Sequence, residues 1–455
     1  MPEPTVPPAP PRSGSAPWPL GSGIGVAIVL VGALLRFGLA WVNPPGNTFD
    51  DHLEPIARLA TELRRLEPDE CWQCYQPPAY YLAAAATLRG LGSLGVEPRH
   101  AWKGVQWLGA AASSVSLALI WLLLARLPGV TSLPRLGALA LLALLPRDLY
   151  AAAAIGNDSW LEMAVSIAAL GFALFWEARR PRTGLALLVV GVVLAAWTKQ
   201  SGLVTLILLG LAWVRPRASR AARGLLLAAA LLALGDEAWR TARSGVLLVS
   251  NQHFDYRAGR ERQPPGRIEA ETFLTFRIGE LMRRPTLAGT TVDSFWTQIF
   301  ARFWFDYEPR FLPPTPAMHG LARALYGLGL GALAALLAGG LWVARRGALW
   351  ERGVLLLLPA FLGAAVLQTL RFPHFSSMKA VFVLPAACAL ALATARGLQL
   401  LAARPSGVAI LRGFLGAALL VGLLHWGAAV AGNRAALVAP TSSPLWTLPA
   451  VPAAR

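Results

Sequence analysis

Charge is what this sequence has least of. Of its 455 residues 14% are charged, against about 25% in a soluble globular protein. A molecule with water on every side is thereby excluded. Lysine occurs only at positions 103, 199 and 379, and cysteine only at 71, 74 and 388. One Cys-x-x-Cys pair with no second pair does not complete a zinc site, and no thioredoxin-like strand pattern surrounds it. The sequence shows no repeat of fixed period and no coiled coil. Its first 21 residues are rich in Pro and Ser and lead into an apolar run too long for a removable signal peptide. They read as a disordered cytoplasmic tail.

What fills the chain instead is apolar. Hydrophobic residues make up 55% of it and the mean hydropathy is +0.51. Apolar runs of about 20 residues, the length a helix needs to cross about 30 Å of hydrocarbon, recur throughout. The fold expected is an all-α polytopic membrane protein. The net charge of +17 does not imply nucleic acid, because the basic residues form short clusters between apolar runs rather than one stripe. That is the pattern of cytoplasmic loops that retain Arg and Lys.

Five basic connections, at 126–135, 179–182, 215–223, 345–352 and 396–412, alternate with connections at 156–159, 197–201, 240–316 and 371–379. Setting the first five inside puts the other four outside. About eleven spans follow, near 22–41, 101–125, 135–155, 160–178, 184–198, 201–214, 224–239, 318–344, 353–370, 377–395 and 408–430. The stretch 77–95 would upset this alternation if it crossed, so it reads as an interfacial or re-entrant helix, consistent with Pro77, Pro78 and its glycines. The expected organisation is a tail 1–21, an N-terminal membrane region 22–239 with a first outer loop 42–100, a periplasmic loop 240–316, a second membrane region 317–432 and a periplasmic tail 433–455.

Polar chemistry gathers at the outer ends of these spans. Asp50, Asp51 and His52 follow the first span and open a helical pattern over 53–66. Adjacent carboxylates there suit a base or a cation site, and a helix start favours their ionised form by about 0.3–1 kcal/mol. The simpler alternative is that one of them caps the helix. Asn157 and Asp158, Lys199, and then Arg371, His374 and Lys379 occupy the other outer connections. Ordinary snorkelling accounts for one or two of the lysines; polar groups at a bundle mouth are otherwise functional suspects. Cys71 and Cys74 fall in an oxidising compartment on this topology, which predicts a structural disulfide holding the turn towards Gln76. Cys388 lies within a span.

In their order along the chain, Asp50-Asp51, Gln76-Pro-Pro-Ala-Tyr80-Tyr81, Asn157-Asp158 and Thr198-Lys199-Gln-Ser-Gly202 resemble the GT-C fold glycosyltransferases. The protein O-mannosyltransferases and the bacterial lipid A aminoarabinose transferases are similar in pattern, over roughly residues 22–215. The resemblance implies a multi-pass enzyme of the cell inner membrane. It would take a sugar from a polyprenyl-phosphate donor in the bilayer and pass it, with inversion, to a hydroxyl of a lipid, glycan or protein acceptor. Asp50 is expected as general base, with Asp51 second. Lys199, Arg371 and Lys379 are expected at the leaving phosphate. His52, Gln76, Tyr80, Asn157, Asp158 and His374 would line the substrates, and His52 and His374 with the acidic pair are an option for a divalent metal. A transporter is the competing class, pointed to by Arg36, Arg147-Asp148 and Asp236-Glu237 within or near spans.

Overall fold

The computed structural model describes residues 23–47, 50–178, 180–253, 269–305, 310–312, 315–373, 377–437 and 448–450. The expected tail 1–21 and His374 lie outside them. Among the described residues there is helix and no strand. Helix α1 (Gly23–Val42) is followed by two helices of the first loop, α2 (Leu53–Glu62) and α3 (Ala79–Ser93). Then come α4 (Pro98–Leu124), α5 (Ser132–Ala143), α6 (Pro146–Ala153), α7 (Asp158–Glu177) and α8 (Pro181–Thr198). Next are α9 (Leu206–Trp213), α10 (Arg220–Ser244) and α11 (Phe295–Trp304). The chain closes with α12 (Pro316–Arg346), α13 (Leu349–Arg371), α14 (Leu384–Ala402) and α15 (Pro405–Leu437).

Local chemistry sets many of these boundaries. Proline stands in the first turn of α4, α6, α8 and α12, where its missing N–H has no partner to lose. Pro146 also explains why the span expected at 135–155 is two helices bent by 48°. Ser219 and Thr315 accept backbone hydrogen bonds as caps of α10 and α12.

Among the described residues, eight helices are long and apolar enough to cross a membrane by themselves, and the bent α5–α6 pair makes nine. The other two expected spans are also helical. One is the 3-10 turn Gln200–Thr205 with α9, a shorter apolar helix; the other is α10, which carries Asp236, Glu237 and Arg240 towards its end. Helix α3 has 15 residues and packs on α2 and α4. The spans bear large apolar side chains on their outsides, such as Leu34 at 70% exposure and Leu337 at 64%. A hydrocarbon environment is what such a surface requires. The protein is a multi-pass helical membrane protein.

Side-chain contacts fix two ends of the bundle. Lys103, near the start of α4, donates to the carbonyls of Ala40 (2.7 Å), Trp41 (2.9 Å) and Asn43 at the end of α1. At the other end of α4, Arg126 pairs with Glu177, the last residue of α7, at 2.5 Å. There too Arg396 grips Glu351 at 2.6 Å and the Pro128 carbonyl at 2.7 Å. Three of the basic connections thus meet at one end, and the starts of α2, α4 and α7 lie at the other.

Close backbone packing joins α7 to α8. A methyl on Gly171 would run into the backbone of Leu188, and one on Gly184 into that of Phe175. Small residues let the two backbones approach, which is how membrane helices gain van der Waals contact without a hydrophobic drive. This seam places the start of α7 beside the end of α8. Beneath α2 and α3 lies a separate apolar core of Ile56, Leu59, Tyr80, Tyr81, Trp102 and Ile155. Full burial of a residue such as Ile56 contributes about 1.5–3 kcal/mol. The first loop is therefore a packed platform.

Candidate active site

A cavity of about 380 Å³ opens where the first loop meets the ends of α8 and α13. Asp50, His52, Gln76, Lys199, Arg371 and Lys379 all line it. These six residues come from three separate connections. The fold has brought together what the sequence scattered.

Two carboxylate–lysine pairs dominate its chemistry. Lys379 Nζ donates to Asp50 Oδ1 at 2.9 Å across 329 positions of sequence, and Lys199 Nζ donates to Asp158 Oδ1 at 2.5 Å. Asp158 is the first residue of α7 and Lys199 follows α8, so the glycine seam positions this second pair. All four side chains keep partial exposure, between 11% and 22%. Burial pushes the Asp50 carboxyl up, but Lys379, His52 and Lys199 outweigh it and hold its pKa at about 2. Asp50 is ionised at neutral pH.

His52 occupies the N-cap position of α2, and its side chain makes no cap bond. Its Nδ1 lies 2.7 Å from the Tyr81 hydroxyl, with the two rings stacked at 5.9 Å. Burial lowers its pKa despite Asp50 and Asp158 nearby, so the imidazole is neutral at pH 7. Gln76 donates to the Tyr75 hydroxyl at 2.8 Å and to Gln73 Oε1 at 3.2 Å. Its own buried Oε1 has no partner among the described residues. Cys71 and Cys74 are joined in a disulfide, with Cα atoms 5.0 Å apart, just before this glutamine.

Other expected site residues stand near the cavity without lining it. Asp51 is half-buried beside Asp50. Tyr80 is buried between Tyr81 and Trp160. Asn157 donates to the Thr198 carbonyl at 3.1 Å and splices the start of α7 to the end of α8. Arg371 lines the cavity, yet it holds a neighbouring segment. It donates to the carbonyls of Leu248 (2.9 Å) and Leu247 (3.1 Å) and sits 2.9 Å from His253 Nε2. Lys103 belongs to the cap of α1 rather than to the cavity. Gln73, Tyr75, Gln200, Asn251 and Gln368 line the cavity without having been singled out from sequence. Neutral polar residues carry no spacing signal that would have found them.

Among the described residues, no three His, Cys, Asp or Glu side chains gather as a metal site. Of the metal option read from the sequence, His374 lies outside the described residues. Several buried charges within the bundle pair with one another. Arg36 binds Asp148 and, at 2.7 Å, Ser113; Asp236 and Glu237 bind Arg240 at 2.8 and 2.6 Å.

Fold and site together define a multi-pass helical membrane protein with a charged cavity at one end of its bundle. No protein-family model matches the chain, and no curated protein matches it. Among solved structures it is similar to the Archaeoglobus fulgidus oligosaccharyltransferase in complex with Zn and sulfate. That likeness has 14% identity and a TM-score of 0.48 over 90% of this chain and 53% of the other. It is also similar to ArnT from Cupriavidus metallidurans bound to undecaprenyl phosphate, at 14% identity and a TM-score of 0.37, over 84% of this chain and 79% of ArnT. A third similarity is to the arabinofuranosyltransferase AftD from Mycobacteria, at 19% identity and a TM-score of 0.44, over 89% of this chain and 27% of AftD. The chain thus spans about half the oligosaccharyltransferase (53%) and about a quarter of AftD (27%). Likeness at this distance concerns the course of the chain, and the function rests on the chain's own residues.

Proposed function

We propose that the protein is a GT-C membrane glycosyltransferase. In this reading it moves a sugar from a polyprenyl-phosphate donor to an acceptor hydroxyl on the non-cytoplasmic face. The observation that carries it is the single cavity in which an ionised aspartate faces two lysines. An acceptor hydroxyl needs a carboxylate base, and a departing lipid phosphate needs cations. Asp50 takes the hydroxyl proton as the acceptor oxygen bonds to the anomeric carbon. The carbon–oxygen bond to phosphate breaks, and Lys379 and Lys199 stabilise the charge that leaves with the lipid phosphate. One displacement inverts the anomeric centre.

The Asp50–Lys379 pair describes the resting state. A carboxylate held near pKa 2 is a weak base. A donor phosphate that takes Lys379 as its own counter-ion removes the largest influence lowering Asp50 and leaves burial to raise it. Donor binding would in this way make the base stronger. An apolar cavity of about 570 Å³, lined by Trp296, Phe303, Leu333, Leu337 and Leu362, suits the donor's hydrocarbon. Helix α13 lines both spaces, with Leu358 and Leu362 in the apolar one and Gln368 and Arg371 in the charged one.

The test uses purified protein with a radiolabelled polyprenyl-phosphate sugar and membrane extract as acceptor, beside an uptake assay in proteoliposomes. Label passing from the donor to a new product, without uptake, is the expected result. Uptake without transfer would replace this reading with the transporter.

A further inference from the structure

A second cleft, of about 470 Å³, lies between the first loop and the ends of α8 and α10. It shares two lining residues with the charged cavity, Gln73 and Gln76. Its walls are of two kinds. Leu59, Leu63, Leu82, Ala86, Trp197 and Trp239 make it largely apolar, and Arg64, Arg65, Arg89 and Arg240 bring four cations to it with no lining carboxylate. Leu63 and Leu82 are 66% and 53% exposed, so the apolar side opens outward from α2 and α3.

The arginines differ in what already holds them. Arg64 pairs with Glu70 at 2.7 Å, Arg65 with Asp236 at 2.5 Å, and Arg240 with Glu237 at 2.6 Å. Arg65 also lies over the Trp239 ring, 3.3 Å from its centroid, a cation–π contact that fixes its plane. Arg89 is exposed and donates to the Ala60 carbonyl at 3.2 Å; no carboxylate pairs with it among the described residues. The wall between the two cavities contributes Gln76 Oε1, a buried acceptor without a partner among the described residues.

We propose that this cleft binds the acceptor, and that the acceptor is an anionic lipid whose headgroup carries the reacting hydroxyl. Its acyl part lies along Leu63, Leu82 and Trp197, and its anionic group pairs with Arg89, beside Arg64 and Arg65. A headgroup hydroxyl then reaches Gln76 Oε1, which takes a hydrogen bond from it and orients it towards Asp50. A guanidinium holds a phosphate or carboxylate through paired N–H donors. A free anion would leave the apolar wall uncovered, and a neutral lipid would leave Arg89 unmatched. This inference rests on the transferase reading for the word acceptor, and on the cleft alone for the ligand.

The experiment uses the full chain in nanodiscs with phosphatidylglycerol bearing a photoactivatable group on its acyl chain, and the matching phosphatidylcholine as control. Crosslinked peptides are mapped by mass spectrometry. The expected result is labelling of α3 around Leu82 and of α8 near Trp197, several-fold stronger with phosphatidylglycerol. Arg89→Ala should cut it several-fold, and Arg89→Lys should restore most of it. Equal labelling by both lipids, indifference to Arg89→Ala, or displacement by inorganic phosphate would each overturn the proposal. Asp50→Asn should leave labelling intact. Intact labelling without sugar transfer by the native protein would sink the transferase reading alone. Transfer without selective labelling would sink the acceptor site alone.

Discussion

Two constellations of buried charge invite comparison, one in the middle of the bundle and one at its end. In the middle, every guanidinium nitrogen of Arg36 has a protein partner: Ser113, the Gly32 and Ala143 carbonyls, and Asp148. Ser113 also donates to Asp148 at 2.8 Å. Arg36 and Asp148 have 0% and 1% side-chain exposure. At the end, Asp50–Lys379 and Asp158–Lys199 are pairs of the same charge type, but partly exposed, and Asp50, Lys199 and Lys379 line a cavity. Burial of charge alone does not mark a functional site. Access to a cavity does. The first constellation ties α1, α4 and α6 together; the second is held ready for something to displace a lysine.

The sharpest way to break this contrast is to remove one cation from each. Arg36→Leu leaves Asp148 as an uncompensated charge, and a broken buried pair typically costs about 3–5 kcal/mol. Thermal unfolding in detergent should show a large drop in stability or a loss of folded protein. Unchanged unfolding would mean that the middle network is not structural.

Lys379→Met takes the cation from the other constellation. Transfer should fall by about two orders of magnitude, the usual effect of losing one group that stabilises departing charge. It should also move the acid limb of the pH profile to higher pH. Without Lys379 burial raises the Asp50 pKa from about 2, and a base is active only when deprotonated. A pH profile that stays in place would remove Asp50 from the role of base.

A smaller effect is expected from Asp158→Asn, which frees Lys199 without removing it. Transfer should fall less than with Lys379→Met, and full activity would make Asp158 a helix-start residue only. The smallest effect is expected from replacing Cys71 and Cys74 with serine. The disulfide holds the turn before Gln76, so unfolding of the first loop should come earlier while transfer stays near the native rate. Complete loss of transfer would place the pair in the chemistry.

The same comparison explains how much was legible in the sequence. In so apolar a chain an ionisable residue beside a span stands out, which is why Asp50, Lys199, Arg371 and Lys379 could be picked without a structure. That signal does not say what the charge does. Lys103 stood out equally, and it caps the last carbonyls of α1. Tyr80 and Asn157 carry motif positions but support the cavity from behind, because one is buried under α2 and α3 and the other joins α7 to α8. Helix positions were readable from apolar runs, while the break at Pro146 turns on how a proline is accommodated in three dimensions. Gln73, Gln200 and Asn251 became visible only once the loops were folded together.

The central claim is that the Asp50 end is chemical and the Arg36 network structural. It is tested most directly by measuring sugar transfer and thermal unfolding on one preparation of Asp50→Asn. The substitution keeps the size of the side chain and removes its capacity as a base. Transfer should fall by about two orders of magnitude or more, with the unfolding temperature close to that of the native protein. Transfer that persists, or a loss of transfer that merely follows a loss of folded protein, would contradict the account.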